Sequence, residues 1–389
     1  MACISLYLLL LTLVTLDVRG DNQETKSIPS CYELFSMGHR NRCPEKSYDP
    51  GTCCHMEGGK VYCIPVAIVA GVSKAGTSEI HKLFKYHPNI TVTNQESHFF
   101  DFPTYNFDGC KVYNYISAGS LDDGKDSPYT RKIVIDKTPN YIIDESNLLR
   151  IHKMMPNAKL IITLRHPTNR AYSHFNFGCK KYAQFKQIIS VDNDMYKPYI
   201  GNIYFLQTPN FNFATYERVK TCDNEIFHKF LDGNTDIDQR VVPSISRDMN
   251  INKAGPYDAI RYISSYALGT IISFGYYSTY IENILDLFPT KNVLVLFLEE
   301  WSHRLHSTLH ELVDFIGLPP MSFMNISDTP ENAVPSSDMR QDDQILLDKF
   351  FTPSILRLQE IMYSKFDRCL PDIWLERLHA PAMKYDCKK

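Results

Sequence analysis

Charge of either sign is not in excess: 41 basic side chains stand against 44 acidic ones in 389 residues, a formal net charge of −3. A chain so balanced does not bind nucleic acid by bulk electrostatics. After residue 20 no apolar run reaches the roughly 20 residues that a helical membrane span needs. No internal repeat is visible. No C-x-x-C pair is followed by a second at finger spacing, so a structural zinc site has little support. What remains is globular in composition, 44% hydrophobic and 22% charged, and too long to be a mini-protein held only by disulfides.

Cysteine is present in an odd number, 11. One of them, Cys3, lies in the segment 1–20, whose apolar run Ile4–Leu16 suits a signal-peptide core, with a short uncleaved anchor as the alternative. Cleavage would leave an even number, as expected of a disulfide-forming chain in a secretory compartment. The sequons Asn89-Ile-Thr91 and Asn325-Ile-Ser327 fit that compartment. Cys31, Cys43, Cys53, Cys54 and Cys63 crowd into a Gly-containing stretch, which reads as a small loop-rich segment over 21–64 held by disulfides. Cys110, Cys179, Cys222, Cys369 and Cys387 follow. Both groups are odd, so complete internal pairing demands a bridge between them.

From residue 65 the pattern changes. Pro65–Gly71, Arg131–Asp136, Lys159–Arg165 and Asn292–Leu298 are short β-branched runs, the signature of strands buried on both faces of a parallel sheet. Helical patterns lie between them: Ser78–Tyr86, Glu145–Met155, Tyr280–Phe288, and a helix from an Ser302 N-cap to Ile316 with Gly317 as its stop. The alternation predicts an α/β, P-loop-like three-layer domain over 65–389, with 190–260 as an irregular addition.

The most informative segment is Gly71-Val-Ser-Lys74-Ala75-Gly76-Thr77-Ser78, directly after the first strand and opening a helix. Glycines permit a tight turn, successive amides and a helix N-terminus cradle an anion, and Lys74, Thr77 and Ser78 add donors. The Gly spacing matches a Walker A loop, but Thr77 stands where that loop has Lys. A strand–G-x-x-K-x-G-T-[ST]–helix instead resembles the 5′-phosphosulfate loop of sulfotransferases, which use 3′-phosphoadenosine 5′-phosphosulfate (PAPS). Leu160-Ile-Ile-Thr-Leu-Arg165-His-Pro-Thr-Asn-Arg170-Ala-Tyr-Ser173 is similar to that family's 3′-phosphate segment. The resemblance implies cofactor contacts from Lys74, Ala75, Gly76, Thr77 and Ser78 and a 3′-phosphate site at Arg165 and Ser173. Pro167 suits a first helical turn, and Arg170 is either a further ligand or a surface or N-terminal-helix residue.

Asn94-Gln-Glu96-Ser-His98-Phe-Phe-Asp101 resembles the Glu-x-His-Phe-Phe-Asp pattern of heparan 3-O-sulfotransferases, and Asp136-Lys137-Thr-Pro resembles the family's Lys-Thr-Pro motif. These imply Glu96 as general base, His98 orienting it, touching substrate or exchanging roles with it, Lys137 at the substrate or the transferring sulfuryl, and Lys74 at the leaving oxygen. Residues 96 and 98 share a face if the segment is extended. No metal is expected. A C-terminal Lys-Gly-Arg loop of the heparan enzymes is missing, and Arg-His-Pro-Thr-x-Arg-Ala looks closer to chondroitin N-acetylgalactosamine 4-sulfate 6-O-sulfotransferases. The resemblance thus implies a PAPS-dependent sulfotransferase of the Golgi lumen or secreted, with an acidic polysaccharide acceptor. Lys180, Lys181 and Lys186 read first as a solvated surface and second as contacts for such an acceptor. The rival readings are a P-loop kinase, with Asp136 as its Walker B carboxylate, and a non-catalytic glycan-binding protein on the same fold.

Overall fold

A computed structural model describes residues 30, 47–55, 61–93, 96–101, 133–177, 227–228, 231, 268–319 and 339–380. The segment 1–20, Cys31, Cys43, Cys110, Cys179, Cys222, Cys387, the three lysines after 179 and nearly all of 190–260 lie outside the described residues. Seven strands are described: β1 Cys53–His55, β2 Val61–Cys63, β3 Ala67–Gly71, β4 Ile90–Val92, β5 Ile133–Lys137, β6 Lys159–Leu164 and β7 Val293–Phe297. The last five form one parallel sheet in the order β4-β5-β3-β6-β7. The four predicted strands are all present, within two residues of their expected ends. Strand β4 was not foreseen, because three residues are too few for a pattern to emerge.

Alternating side chains leave both faces of this sheet covered. Ile68 and Ala70 of β3, Leu160 and Ile162 of β6, and Val293 and Val295 of β7 enter one core; Ala67, Val69, Ile161 and Leu296 enter the other. The first core is closed by helices α2 Glu145–Met154, α5 Tyr277–Leu287 and α8 Gln341–Phe366, and the second by α1 Thr77–Phe84 and α7 Leu305–Ile316. The remaining helices are α3 (residues 167–177), α4 Leu268–Ser273, α6 Leu298–Trp301 and α9 Asp372–Leu375. Three layers around a central parallel sheet is the architecture expected from the strand–helix alternation.

One predicted boundary is wrong. Ser302 does not N-cap a helix: it ends the short α6, and α7 begins after Arg304 with no side-chain cap. Trp301 must lie over the sheet, and the chain turns once to place it there. The stop at Gly317 is as expected, with φ +86°. Helix α8 escaped the sequence pattern because Asp343, Asp348, Thr352, Ser354 and Gln359 are buried alongside its apolar residues and Pro353 lies inside it.

The N-terminal segment is more than loop: β1 and β2 form an antiparallel hairpin bridged by Cys53–Cys63. Cys54 and Ile64 enter the main core, and the Tyr48 amide donates to the Met154 carbonyl at 2.7 Å. Cys54 and Cys369 are each disulfide-bonded.

Asp348 fastens α8 to the start of α3. Its Oδ1 accepts from Thr168 Oγ1 at 2.6 Å and from Arg377 Nη2 at 2.7 Å, and its Oδ2 accepts from Arg377 Nε at 2.9 Å. Removing one partner of a buried pair strands the other charge. Asp348→Ala is therefore expected to cost about 3 kcal/mol, the lower end for buried pairs because Arg377 keeps some solvent. Urea unfolding monitored by tryptophan fluorescence measures it; a change below about 0.5 kcal/mol, typical of surface sites, contradicts this role.

Candidate active site

The loop between β3 and α1 lies at the C-terminal edge of the sheet, beside the strand from which the order runs both ways, where α/β sheets bind ligands. Its two ends are held by β6. The Val72 amide donates to the Thr163 carbonyl at 2.9 Å, Thr163 Oγ1 donates to the Ala75 carbonyl at 2.7 Å, and Trp301 Nε1 donates to Thr163 Oγ1 at 3.0 Å. Ser73 Oγ adds a bond to Asn140 Oδ1 at 2.6 Å. Gly76 has φ +87°, and a Cβ there would stand 2.4 Å from the Trp301 ring. Only glycine satisfies both demands.

The fold leaves several of the donors around this loop unused. Among the described residues the amides of Gly76, Thr77 and Ser78 make no backbone hydrogen bond, and the side chains of Thr77, Ser78 and Ser173 and the guanidinium of Arg165 have no hydrogen-bond or ion-pair partner. Arg165 follows β6 directly; burial lowers its pKa, while Glu299 and Tyr277 oppose that. Its backbone carbonyl accepts from Tyr277 Oη at 2.7 Å. Helix α3 begins at Pro167 and carries Ser173 along. Arg170 is a residue of the N-terminal turn of α3, as one reading expected, and not of the surface. It is fully buried and donates to the Ile271 carbonyl and, at 3.1 Å, to His174 Nδ1. Lys74 has φ +71°, and its Nζ lies 3.9 Å from the centroid of Phe177 at the far end of α3.

A second group of side chains gathers beyond β5. Lys137 Nζ donates to Glu96 Oε1 at 2.8 Å, His98 Nε2 meets Glu96 Oε2 at 3.2 Å, and His98 Nδ1 meets Asp101 Oδ2 at 3.1 Å. Glu96 and His98 do share a face, but through a left-handed His98 at φ +50° and not through an extended strand. The described non-glycine residues with positive φ are Lys74, His98 and the helix-ending Asp367. Two of them stand in this region, and such strain persists where the surroundings impose it.

Asp136 imposes it here. Its fully buried carboxylate accepts from Ser97 Oγ at 2.9 Å and from Thr138 Oγ1 at 2.8 Å; the Ser97 amide donates to Thr138 Oγ1 at 3.1 Å, and the Phe99 amide to Tyr141 Oη at 2.9 Å. From α2, Arg150 Nη1 grips the Phe100 carbonyl at 2.6 Å. With both oxygens so engaged, Asp136 is not placed as a Walker B ligand. Among the described residues no group of three or more His, Cys, Asp or Glu could hold a metal ion, and no helix is long and apolar enough to cross a membrane.

Burial alone would raise the Glu96 carboxyl, but the hydrogen bonds from His98 and Lys137 and the Lys137 charge outweigh it and bring it from 4.5 to about 2. His81 on α1 is lowered to about 4, by burial first and then by Lys85 and Lys137. It is neutral near pH 7.

Sequence motifs thus named Lys74, Gly76, Thr77, Ser78, Glu96, His98, Lys137, Arg165 and Ser173, and the fold brings these to one edge of the sheet. They gave no role to Asp101, although it closes the quoted Glu-x-His-Phe-Phe-Asp pattern. Thr163 was detectable as the lone hydroxyl in an apolar strand. Trp301 and Phe177 carry no local signal, since their partners are far away in sequence.

A family model described as a sulfotransferase domain matches residues 65–341. The chain belongs to the sulfotransferase family. It is 24% identical over 357 residues to the membrane-associated sulfotransferase kil1 of Dictyostelium discoideum, covering 85% of this chain and 72% of that protein. It is 36% identical over 112 residues to heparan sulfate glucosamine 3-O-sulfotransferase 5 of Homo sapiens and 33% over 129 residues to the human 3A1 form. Those matches cover 29% and 32% of this chain and span only 30% and 29% of the relatives' lengths. A solved sulfotransferase from Alicyclobacillus acidocaldarius aligns over 80% of this chain and 98% of its own, with 19% identity and a TM-score of 0.48.

Because its folded pKa lies below the unfolded one, Glu96 contributes stability that is fully present above about pH 4.5 and is lost as pH falls through about 2. Glu96→Gln is expected to be less stable than the parent at pH 7, with the gap closing as the pH falls across that window. Denaturation midpoints at pH 7, 4 and 2.5 test it; a gap independent of pH removes the ionised pair as the cause.

Proposed function

We propose that this sulfotransferase moves the sulfuryl group of PAPS to a hydroxyl of a glycan. The observation that carries the reading is the convergence, at one sheet edge, of a loop whose Gly76, Thr77 and Ser78 amides make no backbone hydrogen bond with a carboxylate paired to Lys137. The cradle fits the co-substrate chemically. Amides at a helix N-terminus with Thr77 and Ser78 suit the 5′-phosphosulfate, and Arg165 with Ser173 suits the 3′-phosphate, for which a guanidinium fork is well matched.

In this reading Glu96 takes the proton of the acceptor hydroxyl as its oxygen attacks sulfur in line. The bond from sulfur to the bridging phosphate oxygen breaks, and that oxygen leaves with the electron pair, stabilised by Lys74. Preorganised positive charge at the developing anion is the main electrostatic contribution. His98, held by Asp101, orients Glu96. Lys137 turns from Glu96 toward the sulfuryl oxygens.

The acceptor proposed is an acidic glycosaminoglycan. The heparan relatives support that class, and the Arg165–Ala171 wording supports chondroitin or dermatan sulfate within it. The irregular stretch 190–260 would choose the acceptor, and the disulfides with the N-terminal apolar run support work in the Golgi lumen or after secretion. The kinase reading is not favoured, since Thr77 replaces the Walker lysine and Asp136 is spent on Ser97 and Thr138.

Incubation of the purified chain with labelled PAPS and a panel of glycosaminoglycans, with and without EDTA, tests this. Transfer to at least one acceptor that survives EDTA is expected. No transfer together with no PAPS binding in calorimetry rejects the enzyme reading. Glu96→Gln should bind PAPS as the parent does and lose transfer by about 10²-fold or more, as for a general base. Lost PAPS affinity in that variant contradicts its role.

A further inference from the structure

The sequon Asn89-Ile-Thr91 lies where the chain leaves α1 and enters β4. Backbone bonds shape this turn. The Asn89 amide donates to His87 Nδ1 at 3.1 Å, and its carbonyl accepts from the Ile133 amide at 2.8 Å. The Asn89 side chain has no partner among the described residues and is partly exposed. Ile90 and Val92 point into the core, so Thr91 stands on the opposite side of β4, partly exposed. Asn89, in the turn just before the strand, is likewise partly exposed. Both residues that define the sequon thus reach solvent.

Two features of the fold make a large substituent acceptable there. The strands are parallel and the candidate site lies beyond their C-terminal ends, whereas Asn89 precedes the N-terminal end of β4. At about 3.3 Å per residue, Asn89 and Thr93 are separated by about 13 Å along the strand. Second, β4 is an outer strand of the sheet among the described residues. An open edge is a template for unwanted pairing and is normally covered or charged. Nearby Tyr86 leaves a large ring 46% exposed.

We propose that Asn89 is an N-glycosylation site whose glycan shields this edge, at the end of the sheet remote from the chemistry. The proposal rests on the secretory reading above. The donor is a lipid-pyrophosphate-linked oligosaccharide. Asn89 Nδ2 attacks C1 of its first sugar, the C1–O bond breaks, the lipid pyrophosphate leaves with the electron pair, and Nδ2 sheds one proton.

The test uses the full chain, extended at its C-terminus by an independent Asn-Gly-Thr acceptor and expressed in cells with endoplasmic-reticulum glycosylation. Enzymatic deglycosylation in heavy-oxygen water converts each occupied Asn to labelled Asp, which peptide mass spectrometry reads without any variant. Label at Asn89 is expected. Asn89→Gln and Thr91→Ala should each lose one mobility step on a gel, and Asn89→Gln should keep the parent's transfer rate. Label in the added acceptor but none at Asn89 overturns this proposal and leaves the secretory reading standing. Label at neither overturns both.

Discussion

The hydroxyl of Thr163 is the point on which the anion cradle depends. It donates to the Ala75 carbonyl and accepts from Trp301, while the carbonyl of the same residue takes the Val72 amide. Both ends of the loop are thereby tied to β6, and the ties use carbonyls of the loop and the amide nearest β3. The amides of Gly76, Thr77 and Ser78 are left over. Buried polar groups must find partners somewhere, so a loop that is held without consuming these donors is a loop that can offer them to a ligand. Trp301 adds the steric half of the constraint, since its ring fills the space that a side chain at position 76 would need.

Asp136 performs the corresponding task for the Glu96, His98 and Lys137 cluster. A buried carboxylate is costly unless hydrogen-bonded, and here the hydroxyls of Ser97 and Thr138 provide for it. The same bonds clamp the 96–101 segment to β5 in a conformation that puts His98 in left-handed backbone. The Glu-Ser-His and Asp-Lys-Thr-Pro segments, about 40 residues apart, are therefore two halves of one device. Within each, the residues that form the buried clamp (Ser97, Asp136, Thr138) alternate with those that form the partly exposed charged cluster (Glu96, His98, Lys137).

That alternation explains how much could be read in advance. Buried strands and the loop were legible because β-branched runs, glycine spacing and a helix start are local properties. Lys74, Glu96, Lys137 and Arg165 were legible because they sit in short motifs at strand ends. Trp301, Phe177 and Asp348 were not, since each matters through a partner brought to it by the fold: Thr163, Lys74, and Thr168 with Arg377. Ser302 misled because a good capping residue says nothing about the tryptophan beside it, which must reach the sheet. Helix α8 was hidden by its own buried polar residues, which blur the apolar stripe that a surface helix normally shows.

The electrostatics of Glu96 bear on how such a site avoids idle chemistry. At about 2 its carboxyl is ionised at any working pH but is a poor proton acceptor, and a general base acts best with a pKa near the operating pH. The depression comes from contacts that need not persist through the reaction. Lys137 supplies both a hydrogen bond and a charge, and in the proposed mechanism it turns away to the sulfuryl oxygens. Without that pair two of the lowering influences on Glu96 are gone, while burial, the largest single influence, still raises its proton affinity against the hydrogen bond from His98. An acceptor that excludes water strengthens this effect. In the proposed mechanism the carboxylate is therefore a better base once Lys137 has turned to the sulfuryl oxygens than while the pair is closed, so the pairing that stabilises Glu96 as an anion also holds back its basicity.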